Sequence, residues 1–177
     1  MKLKPDVLRH EVPTKSDLKK IKHNPIYLVL DNIIDTYNIG SLFRLADAIA
    51  AKKLYICGES EYPPSSRIHK AAVGTENWVN WSKFDSARKA LESLKTEQPD
   101  IQIIAVEQDE RAVSYKKLNS LIKFPVAIIV GNETTGVSKE VLDLADTIVE
   151  LPMFGINTSM NVWGSAAVIA YKILESL

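Results

Sequence analysis

The chain is 177 residues long, 46% hydrophobic and 25% charged, proportions that suit one α/β domain with a substantial core. Its 22 basic and 22 acidic residues cancel, so it lacks the overall positive charge usual in nucleic-acid binders. One cysteine (Cys57) excludes an internal disulfide, three scattered histidines (His10, His23 and His69) offer no metal-ligand spacing, and no apolar run is long enough to span a bilayer; a soluble, cytoplasmic protein without metal or membrane is expected.

The charge is unevenly spread. Residues 1–24 carry seven basic side chains (Lys2, Lys4, Arg9, Lys15, Lys19, Lys20, Lys22) against Asp6, Glu11 and Asp17. A basic, partly helical extension over 1–24 followed by one domain over 25–177 is the organisation this suggests. The extension is equally well read as a phosphate contact or as a solvated surface arm.

Pro25 marks the entry to the domain, and Ile26–Leu30 reads as the first core strand, with Asp31 to Tyr37 as its exit loop. From Asn38 onward Leu42, Leu45, Ala46 and Ile49 recur at helical spacing, with Asn38 as a helix-capping residue and Arg44 at the margin of the apolar stripe. Lys53–Cys57 is a second strand, in which Cys57 reads as a small buried residue. The Pro63-Pro64 pair excludes regular structure in the loop that follows. Trp78-Val79-Asn80-Trp81 reads as a short strand whose two tryptophans are expected to pack in the core. Arg67 and Lys70, just upstream, are possible phosphate contacts. Asp85 or Ser86 caps an amphipathic helix with Ala87, Ala90, Leu91 and Leu94 inward, and Ile101–Val106 is the next core strand. Its exit, Glu107-Gln108-Asp109, should border a ligand site, because open α/β sheets bind ligands beyond the carboxyl ends of their strands. Residues 114–122 form a short helix or turn.

Two β-branched runs, Val126–Val130 and Thr147–Leu151, read as buried parallel strands. Ser138 caps a helix holding Val141, Leu142 and Ala145, and the last helix buries Ala166, Ile169, Ala170, Ile173 and Leu174. The fold class is therefore α/β with a Rossmann-like, mostly parallel sheet. Each β-branched run leads into a loop of small and polar residues, Gly131–Gly136 and Pro152–Ser159. No G-x-G-x-x-G and no P-loop is present, which argues against a dinucleotide-binding fingerprint or a Walker-type NTPase.

Three stretches, in this order, carry a resemblance: Asn38-Ile39-Gly40-Ser41-Leu42-Phe43-Arg44, then Gly131-Asn132-Glu133-Thr134-Thr135-Gly136-Val137-Ser138, then Leu151-Pro152-Met153-Phe154-Gly155-Ile156-Asn157-Thr158-Ser159-Met160-Asn161-Val162. Together they resemble the motifs of the SpoU-like (TrmH-type) branch of the SPOUT methyltransferases. Those enzymes move a methyl group from S-adenosylmethionine to a ribose 2′-hydroxyl of transfer or ribosomal RNA. The resemblance implies a deep carboxyl-terminal trefoil knot, which no local rule would give, and a homodimer with its site near the subunit interface.

Matching to the motifs implies roles. Arg44, Asn38, Glu133, Ser159 and Asn161 take the catalytic positions. Gly131, Leu151 and Met160, with Val106 at the preceding strand end, take the cofactor-contacting ones. Guanidinium groups are poor bases, so Arg44 is better read as a clamp on the phosphate or ribose. Two departures stand out: Trp163-Gly164 where the family continues with small residues, and Thr134-Thr135 in the second motif. The expectation is an RNA 2′-O-ribose methyltransferase, with tRNA favoured over rRNA. Its rivals are a non-catalytic RNA binder of the same fold and an unrelated Rossmann-like nucleotide enzyme.

Overall fold

The computed structural model describes residues 12–177. Lys2, Lys4 and Arg9 of the basic extension lie outside the described residues. Within its remainder Lys15–Leu18 forms one helical turn, α1, capped by the Thr14 hydroxyl.

Seven strands follow: β1 (Asn24–Asp31), β2 (Ala51–Cys57), β3 (Trp81–Phe84), β4 (Gln102–Val106), β5 (Val113–Ser114), β6 (Val126–Gly131) and β7 (Thr147–Glu150). They form one sheet in the order β3-β2-β1-β6-β4-β7-β5, and every pairing is parallel. The helices are α2 (Thr36–Ala48), α3 (Ser66–Ala72), α4 (Ala87–Glu97), α5 (Lys139–Leu142) and α6 (Val162–Leu174).

Alternation along β1 explains the layering. Ile26, Leu28 and Leu30 enter a core with Leu42 and Phe43 of α2, Ile68 of α3 and Ile169 and Ile173 of α6. Tyr27 and Val29 enter the opposite core with Leu91 and Leu94 of α4 and Val141 of α5. Successive side chains of a strand point to opposite faces, so a strand that is apolar throughout must be covered on both. Each fully buried aliphatic side chain contributes about 1.5–3 kcal/mol.

Residues 26–30, 53–57, 101–106, 126–130 and 147–151 fall on strands within a residue or two of the expected bounds. Other expectations need correction. Trp78–Trp81 is not one strand: a 3₁₀ turn over Thr75–Asn77 precedes Trp78, and β3 begins at Trp81. Trp78 donates from Nε1 to Asp47 Oδ1 at 2.7 Å, and Trp81 stands edge-on to Phe43. Asn38 is not a cap, because Asp35 takes that position with its side chain accepting from the Tyr37 N–H. The Ser138 helix is a single turn without a side-chain cap bond. Residues 114–122 divide between β5 and a 3₁₀ helix over Tyr115–Ser120. Cys57 is fully buried, as expected, and its thiol is pushed up to about 12 by burial and then by the negative charge of Asp31. At that value it is inert as a nucleophile.

Gly40 is where α2 and α3 meet. A Cβ there would lie 2.5 Å from Ala71 Cβ, 2.7 Å from the Ile68 carbonyl oxygen and 2.8 Å from the Ala72 nitrogen. Helix propensity alone would make Gly40→Ala stabilising by about 1 kcal/mol, but backbone atoms cannot yield as a side-chain tip can. The expected result is a net loss of about 1–3 kcal/mol, seen as a lower denaturation midpoint. A midpoint at or above wild type would refute the close approach.

Candidate active site

Parallel pairing brings the carboxyl ends of the central strands into line. Asp31 of β1 is level with Gly131 of β6, and Val106 of β4 is level with both Val130 of β6 and Val149 of β7. The loops that leave these ends therefore converge. Between them lies a cavity of about 420 Å³, in the size range of small-molecule sites. The loops after β6 and β7 are consecutive in sequence, yet β4 lies between their strands, and its exit completes the wall.

Of the residues singled out in the sequence, Asn38, Glu133, Ser159, Asn161, Gly131, Leu151, Met160 and Val106 all line this cavity. Arg44 does not. It is exposed on α2 and lines a second, more apolar recess with Tyr37, Trp163, Ala167 and Tyr171. The two recesses flank the same turn of α6: Asn161, Val162 and Ser165 border the cavity, Trp163 and Ala167 the recess of Arg44. Arg67 and Lys70 line neither recess, and Arg67 pairs with Glu61 at 3.3 Å.

A chain of side-chain hydrogen bonds joins the three motifs. Buried Asn38 donates from Nδ2 to Glu133 Oε1 at 2.9 Å and accepts at Oδ1 from Asn161 Nδ2 at 3.0 Å. Asn161 in turn caps α6, its Oδ1 accepting from the Trp163 N–H at 3.0 Å. Glu133 closes the arrangement on the β1 exit loop by accepting from the N–H groups of Ile34 (3.1 Å) and Asp35 (3.0 Å). An asparagine suits the centre because it donates and accepts at once. Each pair lies some hundred residues apart, so the network fixes the loops relative to one another.

Burial by itself would raise the Glu133 carboxyl. The bonds from Asn38 and from the Ile34 and Asp35 amides outweigh it and hold the group below its ordinary value of 4.5. A depressed folded-state value means that ionised Glu133 stabilises the fold fully above the unfolded value, and that this contribution is lost as pH falls through the folded one. Glu133→Gln should therefore be less stable than wild type at neutral pH, by about 1 kcal/mol for a displaced acceptor. The gap should close in acid denaturation series run from pH 7 to below 4. A gap independent of pH would show that the carboxylate's charge is not what holds the loop.

The remaining wall was only partly legible. Of the β4 exit expected there, Glu107 and Gln108 border the cavity and Asp109 does not, pairing with Arg111 at 2.9 Å instead; Gln108 Nε2 donates to the Thr158 carbonyl at 2.5 Å. Glu150 and Ser165 also line it and were not foreseen. Glu150 is the last residue of β7, next to Leu151, so the carboxyl-edge rule that points to Leu151 reaches it too. Asn132 organises the loop after β6. Its Oδ1 accepts from the Thr134 and Thr135 N–H groups, and its Nδ2 donates to the Asn32 carbonyl. Among the described residues no cluster of side chains could hold a metal ion, and no helix is long and apolar enough to cross a membrane.

Residues 25–171 match the model of the SpoU rRNA Methylase family. A curated relative, the tRNA (guanosine(18)-2′-O)-methyltransferase of Borreliella burgdorferi, is 26% identical over 157 residues, which are 89% of this chain and 69% of that protein. Among solved structures, the Aquifex aeolicus (A. aeolicus) TrmH/SpoU tRNA modifying enzyme superposes with a TM-score of 0.77 at 24% identity, over 97% of this chain and 81% of that one. The SpoU methyltransferase AviRb from Streptomyces viridochromogenes, solved in complex with the cofactor AdoMet, gives 0.75 at 21% identity, over 97% and 71%.

Proposed function

We propose that this chain, which belongs to the SpoU rRNA methylase family, is an enzyme that transfers a methyl group from S-adenosylmethionine to a ribose 2′-hydroxyl of RNA. The observation that carries the reading is the cavity at the carboxyl edge, where seven motif-matched residues converge with Val106 and where Asn38, Glu133 and Asn161 are locked together.

The residues present suit that cofactor. Val106, Val130, Leu151 and Met160 offer apolar surface for an adenine ring, and no basic side chain in the wall opposes a cation. Bound there, S-adenosylmethionine supplies an electrophilic methyl group on a positively charged sulfur. Gly131, Leu151, Met160 and Val106 hold it. Ser159 and Asn161 orient the acceptor ribose at the amino-terminal turn of α6. Asn38 and Glu133 keep the three loops in register. Arg44, across that turn, clamps the ribose or its phosphate. Positioning and electrostatics of this kind are sufficient for methyl transfer.

Arg44 reaches the reacting centre as part of a homodimer, because its recess is open and aromatic in the single chain. Tyr37 is 58% and Tyr171 54% exposed, beside Trp163. Covering such a face with a second copy buries it. Trp163→Ser is expected to stay folded and to elute as a monomer where wild type elutes as a dimer; a dimeric variant would remove Trp163 from the interface.

The substrate is tRNA, as in the Borreliella relative, and the protein acts in the cytoplasm. The family description favours rRNA as the second reading. Residues from β6 to α6 form the knot, consistent with β6 returning between β1 and β4 before β7 pairs beyond β4. The test is transfer of labelled methyl from S-adenosylmethionine to unmodified tRNA and rRNA pools offered separately. Label in tRNA alone is expected. Label in rRNA alone would favour the second reading, and label in neither would contradict the enzyme.

A further inference from the structure

The cavity wall carries charge of one sign. Glu107 at the exit of β4, Glu133 after β6 and Glu150 at the end of β7 line it, and no Lys, Arg or His does. Among the described residues none of the three makes a salt bridge. Glu133 is taken up by the loop that it ties down. Glu107 is held differently. Its Oε1 accepts from the Gln108 N–H at 2.9 Å and its Oε2 from the Val137 N–H at 2.8 Å. Both donors are backbone amides, which fix the carboxylate without cancelling its charge. Gly136, at φ +70°, leaves the room for it: a Cβ there would strike Glu107 Oε2. A half-buried anion is thus fixed in the middle of the wall, because β4 lies between β6 and β7. A cleft lined by one sign of charge focuses that field on whatever enters.

The inference rests on the cofactor reading above. S-adenosylmethionine and its product S-adenosylhomocysteine differ by one methyl group and one charge. Transfer breaks the S–CH₃ bond, whose electron pair stays on sulfur, and forms an O–CH₃ bond; the hydroxyl proton leaves to solvent. The sulfur changes from a cation to a neutral thioether in the same field.

We propose that Glu107, supported by Glu150, is a specificity-determining residue that makes the cavity favour the cationic methyl donor over its neutral product. The carboxylate attracts the sulfonium form, and the attraction disappears when the methyl group leaves. Product is thereby held less tightly than donor.

Binding calorimetry on the full chain tests this with S-adenosylmethionine, S-adenosylhomocysteine and sinefungin, an analogue bearing an amine near the sulfonium position. Glu107→Gln keeps a side-chain oxygen for the Val137 amide, gives up the one that accepts from the Gln108 amide and removes the charge; the lost loop bond acts on all three ligands alike, the lost charge only on the cationic two. It is expected to weaken S-adenosylmethionine and sinefungin about three- to tenfold, the size of one partly screened charge pair, and to leave S-adenosylhomocysteine within about twofold. Equal weakening of all three, or no weakening, would overturn the proposal, because Glu107 would then act on shared parts of the ligands or only on the loop. Should Glu107→Gln not fold, Glu150→Gln carries the same test, with a smaller loss confined to the cationic ligands expected and an equal loss for all three overturning it. Wild type that binds none of the three overturns the cofactor reading itself; wild type that binds them without charge-selective loss in the variants overturns only this proposal.

Discussion

Arg44→Ala should lower methyl transfer by about two to three orders of magnitude, the usual cost of removing a preorganised charged contact to a reacting centre. Cofactor affinity should stay within about twofold, since Arg44 lines the recess of Tyr37 and Trp163 and not the cavity. The split matters more than the size of the loss. A residue that held the fold would change both readings, and one that held the cofactor would change the dissociation constant first. The variant should also remain as stable as wild type, because among the described residues Arg44 pairs with no carboxylate. Single-turnover rates and calorimetry on the same preparation measure the two quantities. Wild-type turnover would remove Arg44 from the mechanism, and a large loss of cofactor affinity would place it in the wrong recess.

Gly131→Ala should be strongly damaging to both fold and site. The loop after β6 folds back on itself through paired hydrogen bonds, Asn132 N–H to the Gly136 carbonyl at 3.0 Å and Gly136 N–H to the Asn132 carbonyl at 2.9 Å. A Cβ on Gly131 would run into the Val137 nitrogen and the Gly136 carbonyl group. All of these are main-chain atoms of the returning strand of the loop, so the hairpin must open to admit one methyl group. A cost of about 3 kcal/mol or more follows from overpacking plus the lost bonds. Cofactor affinity should fall at least about tenfold, because the displaced loop is a wall of the cavity. Thermal denaturation and binding calorimetry read the two effects; wild-type values in both would contradict the role given to this glycine.

How far the sequence reached can be judged at Asn38. By residue type and position it reads as a helix cap, whereas the structure gives that role to Asp35. What separates them is tertiary: Asn38 bonds to Glu133 and Asn161, 95 and 123 residues away. No local rule sees such partners. The two tryptophans show the same limit. A strand over 78–81 would already have put them on opposite faces, three residues apart; Gly74 at φ 89° instead starts a 3₁₀ turn that delivers Trp78 to Asp47 and leaves only Trp81 to the sheet. By contrast, β1, β6 and α6 were legible because burial on both strand faces, or on one helix stripe, writes itself into composition and spacing.

The site was legible to the extent that strand ends were. Val106, Gly131 and Leu151 each end or follow a strand, and parallel pairing had to bring such positions to one edge. The strand order was not legible. Nothing local says that β6 returns between β1 and β4. The motifs place Arg44 with Asn38 on one helix, but side chains six residues apart on a helix point in different directions, about 240° around its axis from one another.

The central claim is that the acceptor is a ribose oxygen. Its most direct measurement is alkaline hydrolysis of RNA labelled by the protein with methyl-labelled S-adenosylmethionine. A 2′-O-methyl group removes the nucleophile that cleaves the adjacent phosphodiester, so the label should run as an alkali-resistant dinucleotide and yield a 2′-O-methyl nucleoside after full digestion. Label recovered only in mononucleotides, as a base-methylated product would give, would contradict the account.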